Sequence, residues 1–495
     1  MFGSIFTTLF TLQNLLVLNL GVAVGIIFGA IPGLSSVIGI TLLLPITYSL
    51  EIVPSLCLLI GVYCGGVYGG SITAILIDTP GAPASACTML DGHPMAKSGR
   101  AGRALSVSLR ASFVGGISSV ILLMIFGPYL ASFALNFGPA EMFGLCLIGL
   151  TVIPSVVGNQ PTKGFLAALM GLFVTVIGSD IFSGMTRLTF GSRYLAGGIN
   201  LAPTMIGTFA FSQVIKKVFN ANASDSTVQD FAKQTYPWKE LFSHWKILLK
   251  STLIGTGIGA IPGTGPALAA FVSYNSAKNS SKTPELFGTG IDEGIIAPES
   301  ANNAVTGAAF IPLLSLGIPG DTATAVLAGA MTIAGVAPGP TFYSAHTTLA
   351  YTIMIILLIV NVFMLLQASF LTKIFARIAV VPTSILYPIV GIFCVLGAYA
   401  SSNSFFDVWV MVIFGFIGFF IFEKHNIPKA PFIIARILGS MTEVNLRRAL
   451  QLSDNGPAIF FTRPISVICI LVSVGIVVSP IVKKMLKKKK ASDNR

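Results

Sequence analysis

The chain is built of long, unbroken apolar runs, and these constrain its fold more than any other feature. Residues 11–31, 53–77, 117–135, 141–158, 164–183, 351–372, 378–399, 408–422 and 464–482 are the clearest. A helix needs roughly 20 apolar residues to cross the hydrocarbon core of a bilayer. In lipid only helices and closed barrels satisfy every backbone group. The runs are continuous rather than alternating, so helices are expected. Composition agrees: 54% of the 495 residues are hydrophobic and 10% are charged, against roughly 25% charged in a soluble domain. So few charges cannot cover a water-facing surface. The expected fold is an all-α, polytopic membrane protein.

Met1 to Asn14 carries no Lys or Arg. The positively charged region of a cleaved signal peptide is missing, so the first apolar run is expected to be a retained helix. The cysteines Cys57, Cys64, Cys87, Cys146, Cys394 and Cys469 form no CxxC pair. They read as small apolar core residues rather than metal or redox groups. The net charge is +12, and half of it lies after residue 482, in Lys483, Lys484, Lys487, Lys488, Lys489, Lys490 and Arg495 against Asp493. A basic patch raises nucleic acid as a partner. Here it directly follows an apolar run, so the positive-inside rule accounts for it, and residues 483–495 are expected to be a cytoplasmic tail against anionic headgroups.

Residues 220–246 are too polar to span and divide the chain near its middle, with a surface helix expected from Trp238 to Trp245. Each side repeats a pattern. Gly29-Ala30-Ile31-Pro32-Gly33 is identical to Gly259-Ala260-Ile261-Pro262-Gly263. A second Pro-Gly follows each: Thr79-Pro80-Gly81, and Ile318-Pro319-Gly320. The intervals are similar, 48 positions from Pro32 to Pro80 and 57 from Pro262 to Pro319. An internal duplication follows, with halves at 1–219 and 247–482, the second carrying extra helices. Proline removes a backbone donor and glycine admits left-handed dihedrals, so each pair breaks a helix. Duplicated breaks in apolar segments are the sequence pointer to a transporter site. Half-helix N-termini suit anionic groups, and unwound carbonyls suit a cation. Ordinary kinks or loop turns are the plainer reading of any single break.

Small polar residues cluster at these breaks. The expected substrate-binding set is Gly33, Ser35, Ser36, Thr79, Pro80, Gly81, Gly263, Thr264, Asn302, Asn303, Pro319, Gly320 and Thr322. Hydroxyls, amides and backbone N–H groups can hold a carboxylate without a buried fixed charge; small residues also serve helix packing. The expected ion-coupling set is Ser71, Thr73, Asp78, Glu299 and Ser315. Asp78 stands directly before a break, and acids within membranes default to function. Asp292, Glu293 and Glu299 form an ion site or cap helix N-termini. His93, in DGHPMAKSGRAGR, reads as part of a cytoplasmic turn. No phosphate-binding GxxxxGK[ST] loop, HExxH or GxSxG occurs, so neither a nucleotide motor nor a familiar hydrolase site is present. No metal or other cofactor is expected beyond a coupling cation.

GAIPGLSS, YGGSITAILIDTPGAPASACTMLDGHPMAKSGRAGRAL, GIGAIPGTGP, DEGIIAPESANNAVTGAAFIPLLSLGIPGDTATAVL, GVAPGP and EVNLRRALQLS…FFTRP together resemble the large membrane subunit of the bacterial tripartite tricarboxylate transporters. The resemblance spans almost the whole chain. It implies a small membrane partner of about four helices and a periplasmic solute-binding protein. It also implies import of citrate-like tri- or dicarboxylates across the inner membrane, driven by sodium or protons. Members of that family often carry Asn before the second Pro-Gly; this chain has Asp78, which bears on ion coupling. The alternative from another class is a membrane-embedded enzyme acting on a carboxylated or lipid-linked substrate, for which Asp292, Glu293 and Glu299 are the available acids. Counting segments between the two GAIPG copies predicts opposite directions, an inverted repeat. It also puts the basic loops at 97–103, 216–250 and 373–377 on the cytoplasmic side. The same count puts the tail outside, so one segment, the short apolar 430–440, is miscounted.

Overall fold

A computed structural model describes residues 2–31, 34–135, 137–156, 161–180, 182–219, 234–378, 383–453, 456–476 and 478. Pro32 and Gly33, residues 220–233 of the central loop and the Lys-rich tail lie outside the described residues. The chain folds as helices, with one short antiparallel hairpin pairing Gly178–Ser179 with Thr186–Arg187. Five described helices are long and apolar enough to cross a membrane: Leu12–Ala30, Ile52–Leu76, Met89–Phe133, Thr347–Ile378 and Phe405–Glu423. Shorter apolar helices, such as Ser36–Ser49 and Thr322–Ile333, accompany them. Together they make a multi-pass membrane protein. All six cysteines are buried and unpaired.

Two compact units form. Residues 1–131 and 200–424 make the first, and residues 132–199 and 425–495 the second. The units are not the two chain halves: the first holds all four Pro-Gly motifs.

In the first unit, Leu12–Ala30 packs along Ile52–Leu76, and glycines allow the close approach. A Cβ on Gly25 would fall 2.6 Å from the Val62 carbonyl oxygen, and one on Gly21 2.5 Å from that of Leu58. Small residues that bring backbones together are how helices associate where lipid is the solvent. Ile52–Leu76 is almost wholly enclosed, with 94% of its apolar window buried. Trp245–Gly259 packs against Glu293–Ala308 in the same manner, through Gly255 on Ala301 and Gly259 on Val305.

Helices end at each duplicated motif. Leu12–Ala30 stops before Pro32 and Ser36–Leu43 begins after it. Trp245–Gly259 stops before Pro262 and Gly265–Ser280 begins after it. Ile52–Leu76 ends before Pro80. Phe310–Leu316 ends at Gly317, whose φ of 74° closes the helix in the left-handed region glycine tolerates. Thr322–Ile333 then starts directly after Gly320.

The DGHPMAKSGRAGR segment departs from the expected turn. Met89–Met95 is helical, and the helix runs on to Ala134 through a kink at Gly99, φ 81°. His93 is half-buried rather than in a loop; its Nδ1 lies 3.0 Å from the Ile75 carbonyl oxygen. That bond ties the segment to the end of the preceding helix. The surface helix is present as Trp238–Ser243, followed by a turn at His244.

In the second unit, Lys429–Gln451 packs on Pro139–Val156 and Pro161–Val176. The apolar stretch 430–440 is the first half of that longer helix. Arg187 forks onto Glu443 (2.8 and 3.3 Å), and Arg447 reaches Asp180 at 2.8 Å.

Candidate functional site

The second break of each chain half folds back on the first. A Cβ on Gly81 would collide with the Gly29 carbonyl oxygen; one on Gly320 would fall 2.8 Å from the Gly259 carbonyl oxygen. Gly29 and Gly259 open the two GAIPG copies, and Gly81 and Gly320 close the two later Pro-Gly motifs. The Gly81 N–H donates to Gly70 O at 3.3 Å, and the Gly263 N–H donates to Gly320 O at 2.8 Å. Each half thus seats its two breaks against each other. The halves also exchange elements. Ser36–Leu43 packs on Thr322–Ile333, Gly265–Ser280 packs on the single turn Pro83–Ser85, and Ile52–Leu76 meets Glu293–Ala308.

Asn302, Asn303 and Glu299 lie on Glu293–Ala308 and are buried there. The Glu299 carboxylate accepts from the Ser112 hydroxyl at 2.8 Å, from the Asn302 amide at 3.4 Å and from the Thr88 hydroxyl. Behind it, Ser108 donates to Ser71 at 2.9 Å, and Ser71 donates to the Tyr68 carbonyl. The Asn303 amide donates to Asn302 Oδ1 at 2.7 Å and to the Glu299 carbonyl at 3.1 Å. Two chain segments from the first half, 68–71 and 88–112, therefore wrap one carboxylate from the second half in neutral oxygens and amides. Glu299 does not cap a helix end; it sits in the second turn and faces inward.

A second buried carboxylate follows the last break. Asp321 caps Thr322–Ile333, accepting the Thr324 N–H at 2.8 Å, and the Tyr63 hydroxyl donates to its Oδ2 at 2.6 Å. Among the described residues neither Glu299 nor Asp321 has a Lys, Arg or His at ion-pair distance. No Lys or Arg occurs in segments 29–43, 70–88, 259–275 or 299–324 at all.

Other expected residues are placed apart from Glu299. Asp78 lies past the helix end with φ 55°, its side chain 55% exposed and 3.9 Å from His93 Nε2. Asp292 pairs with Arg103, and Glu293 pairs with His244 at 3.4 Å, both partly buried. Thr73 is buried beside Gly81 with no partner for its hydroxyl, and Ser315 bonds back to its own helix at Ile311. Ser35 caps the helix after the first break by accepting the Ile38 N–H, while Ser36 is buried where that helix crosses Gly66. Thr79 and Thr264 hydroxyls donate to nearby carbonyls, Ile77 and Ile258. Pro319 and Gly320 are buried, and Thr322 is half-buried.

Sequence reasoning missed Tyr63, Thr88, Ser108, Ser112 and Asp321. Asp321 carried a usable signal, an acid set directly after a break. Tyr63, Ser108 and Ser112 lie within ordinary apolar or small-residue helices, and Thr88 in the turn before Met89, and all become visible only once these elements pack. Asp91 was missed too: buried, it accepts from the Tyr274 hydroxyl at 2.8 Å and from the N–H groups of Gly288, Gly290 and Ile291. It anchors the turn that leads into the helix bearing Glu299.

A profile of the "Tripartite tricarboxylate transporter TctA family" matches residues 15–434. A protein of Agrobacterium vitis, described as an uncharacterized 52.8 kDa protein in the TAR-I ttuC' 3' region, is 35% identical over 497 residues, covering 98% of this chain and 96% of the relative. A second from the same organism, described as an uncharacterized protein in the TAR-II ttuC' 3' region, is 36% identical over 212 residues, covering 43% of this chain and 87% of its own length. No solved structure matches. The chain belongs to the tripartite tricarboxylate transporter TctA family.

Proposed function

We propose that the chain imports small organic anions, tri- or dicarboxylates such as citrate, across the bacterial inner membrane as the translocating subunit of its tripartite system. A solute-binding protein in the periplasm delivers the anion, and a small membrane subunit of about four helices completes the complex. A sodium or proton gradient drives the step.

The observation that carries this reading is the pair of enclosed carboxylates, Glu299 and Asp321, in a region whose segments hold no Lys or Arg. An anionic solute brought there adds negative charge to negative charge. Burying uncompensated charge is costly, so a cation must enter with it. That requirement is what couples anion uptake to a cation gradient. Glu299 is the proposed centre of coupling. Ser71, Ser108, Ser112 and Thr88 supply hydroxyl oxygens that can turn a lone pair to a cation or a hydrogen to the carboxylate.

The anion is proposed to lie at the paired breaks. Its carboxylates would take over the Gly81 and Gly263 N–H groups, now bonded to the Gly70 and Gly320 carbonyls, with Gly320, Asn302, Asn303, Ser35, Ser36, Thr79, Thr264 and Thr322 around them. Gly33 belongs to this set by its equivalence to Gly263. The two chain halves are proposed as inverted repeats. Two features support the repetition: the interval from Gly66 to Val305 equals that from Gly81 to Gly320, and both pairs make equivalent contacts with the Gly29 and Gly259 region; the inversion rests on the segment count alone.

The test is uptake of labelled citrate and dicarboxylates into vesicles carrying this chain, its small partner and the binding protein, with sodium or proton gradients imposed separately. Uptake that needs one of these gradients is expected. Gradient-independent uptake by the folded, complete system would sink the coupling; no uptake of any carboxylate would move the substrate class elsewhere.

A further inference from the structure

Away from the breaks, the start of Ala101–Ala134 and the end of Thr347–Ile378 enclose a cavity of about 240 Å³. Arg110 and Lys373 line it with Ser106, Leu105, Leu109 and Phe370. Arg110 lies nine residues into its helix, roughly 13 Å from the first turn. A partly buried arginine still needs partners for its N–H groups. What it has is partial. Its Nη1 donates to the Ser106 hydroxyl at 2.6 Å, and its guanidinium stacks 5.1 Å from the Trp238 ring. Its Nε is buried with no partner, and among the described residues no carboxylate stands at ion-pair distance.

The surroundings limit what kind of group could meet this arginine. Leu105, Leu109 and Phe370 make one wall apolar, and Phe370 is 76% exposed on a helix whose outer face continues with Leu366 and Ile374. That face is lipid-facing in a chain of this class. Trp238, stacked on Arg110, is of the residue type that collects at headgroup level. Lys97, Arg100, Arg103, Lys373 and Arg377 gather at the same ends of the two helices, the pattern of a cytoplasmic boundary. A cavity with cations at headgroup depth and an apolar wall open to lipid matches a phosphodiester on acyl chains.

We propose that this cavity binds the headgroup of an anionic phospholipid, with Arg110 and Lys373 on the phosphate and the acyl chains along the outer face of Phe370, Leu366 and Ile374. The site is independent of the transport reading. By bridging the Trp238–Ser243 helix, through Trp238 and the Ser106–Tyr236 bond of 2.9 Å, to the Thr347–Ile378 helix, bound lipid would fix these elements together.

The experiment is native mass spectrometry of the full chain, released from detergent after titration with phosphatidylglycerol, phosphatidylcholine or glycerol phosphate. Retention of phosphatidylglycerol over phosphatidylcholine is expected. Arg110→Gln and Lys373→Gln should each weaken that retention roughly fivefold, and the exposed Lys250→Gln should not. Lys373 lies at a helix end near the surface, so its variant keeps the test open if Arg110→Gln fails to fold. Equal retention of the two lipids, unchanged retention in both variants, or displacement of lipid by glycerol phosphate at equal concentration would each overturn the proposal.

Discussion

The Tyr63 hydroxyl donates to Asp321 Oδ2 at 2.6 Å, joining the middle of the enclosed helix Ile52–Leu76 to the residue directly after the last break. One partner comes from the first chain half and the other from the second. A buried carboxylate that loses a donor carries the desolvation penalty of the orphaned oxygen, about 1–3 kcal/mol. Tyr63→Phe should therefore lower the thermal midpoint of the purified protein. Tyr68→Phe is the control on the same helix: Tyr68 is equally buried, but its hydroxyl has no protein partner. Its removal should leave the midpoint unchanged or raised. Equal effects from the two variants would show that the Tyr63–Asp321 bond contributes no stability.

Glycine is required at the contact between paired breaks. Gly81→Ala would push a methyl group into the Gly29 carbonyl, and Gly29→Ala would do the same against the backbone of Gly66. Backbone cannot swing aside as a side chain can, so overpacking of about 1–3 kcal/mol or more is expected. Gly257→Ala sits in open space on Trp245–Gly259. It should be neutral or stabilising by up to about 1 kcal/mol, because alanine is the better helix former. Size-exclusion profiles and melting curves of the three variants separate these outcomes.

In the second unit, Asp180 accepts the Phe182 and Ser183 N–H groups at 2.8 and 3.2 Å and pairs with Arg447. The backbone N–H of Phe182 acts first among these in holding its carboxyl down to about 2. A folded-state pKa below the unfolded value of about 3.9 stabilises the fold above that value. The gain is lost as pH falls toward 2. The stability difference between wild type and Asp180→Asn should hold constant above about pH 5 and shrink on acidification through the window between these pKa values. Urea denaturation across that range, read at the hairpin, measures it; a difference independent of pH would exclude the ionised carboxylate as its cause.

Much of the fold was legible because its determinants are local. Apolar length marks spanning helices, and Pro-Gly marks where they stop, so the helix ends near Ala30, Leu76, Gly259 and Leu316 follow from chain chemistry alone. The identity of the two GAIPG copies likewise pointed to the paired contacts at Gly29 and Gly259. What was illegible depends on which faces meet. Ser71 and Ser108 are unremarkable until two helices bring their hydroxyls to 2.9 Å. Asp78 shows the converse. Its place at the end of an apolar run suggested enclosure, but a left-handed turn carries it out of the helix to an exposed position. The segment around His93 misled for a similar reason: Gly, Pro and basic residues suggested a turn, whereas Gly99 absorbs the kink and the helix continues.

Glu299 and Asp78 separate by burial, and that difference makes the sharpest functional prediction. Glu299 is fully buried and held only by neutral donors, Ser112, Thr88 and Asn302. Glu299→Gln keeps the volume, turns one accepting oxygen into an NH2 that a rotated Ser112 or Thr88 hydroxyl can accept, and removes the charge that calls for a cation. Gradient-driven uptake should fall by roughly 5- to 150-fold, the span of ordinary coupling energies, while uptake down the solute's own gradient persists. Asp78 is more than half exposed, and water already compensates its charge. Asp78→Asn should shift ion dependence far less than Glu299→Gln does. Uptake by the two variants, measured against sodium and proton gradients in the same reconstituted complex, decides between them. If Asp78→Asn abolishes the gradient requirement while Glu299→Gln leaves it intact, coupling lies at the exposed end of the break and the hydroxyl cage is structural.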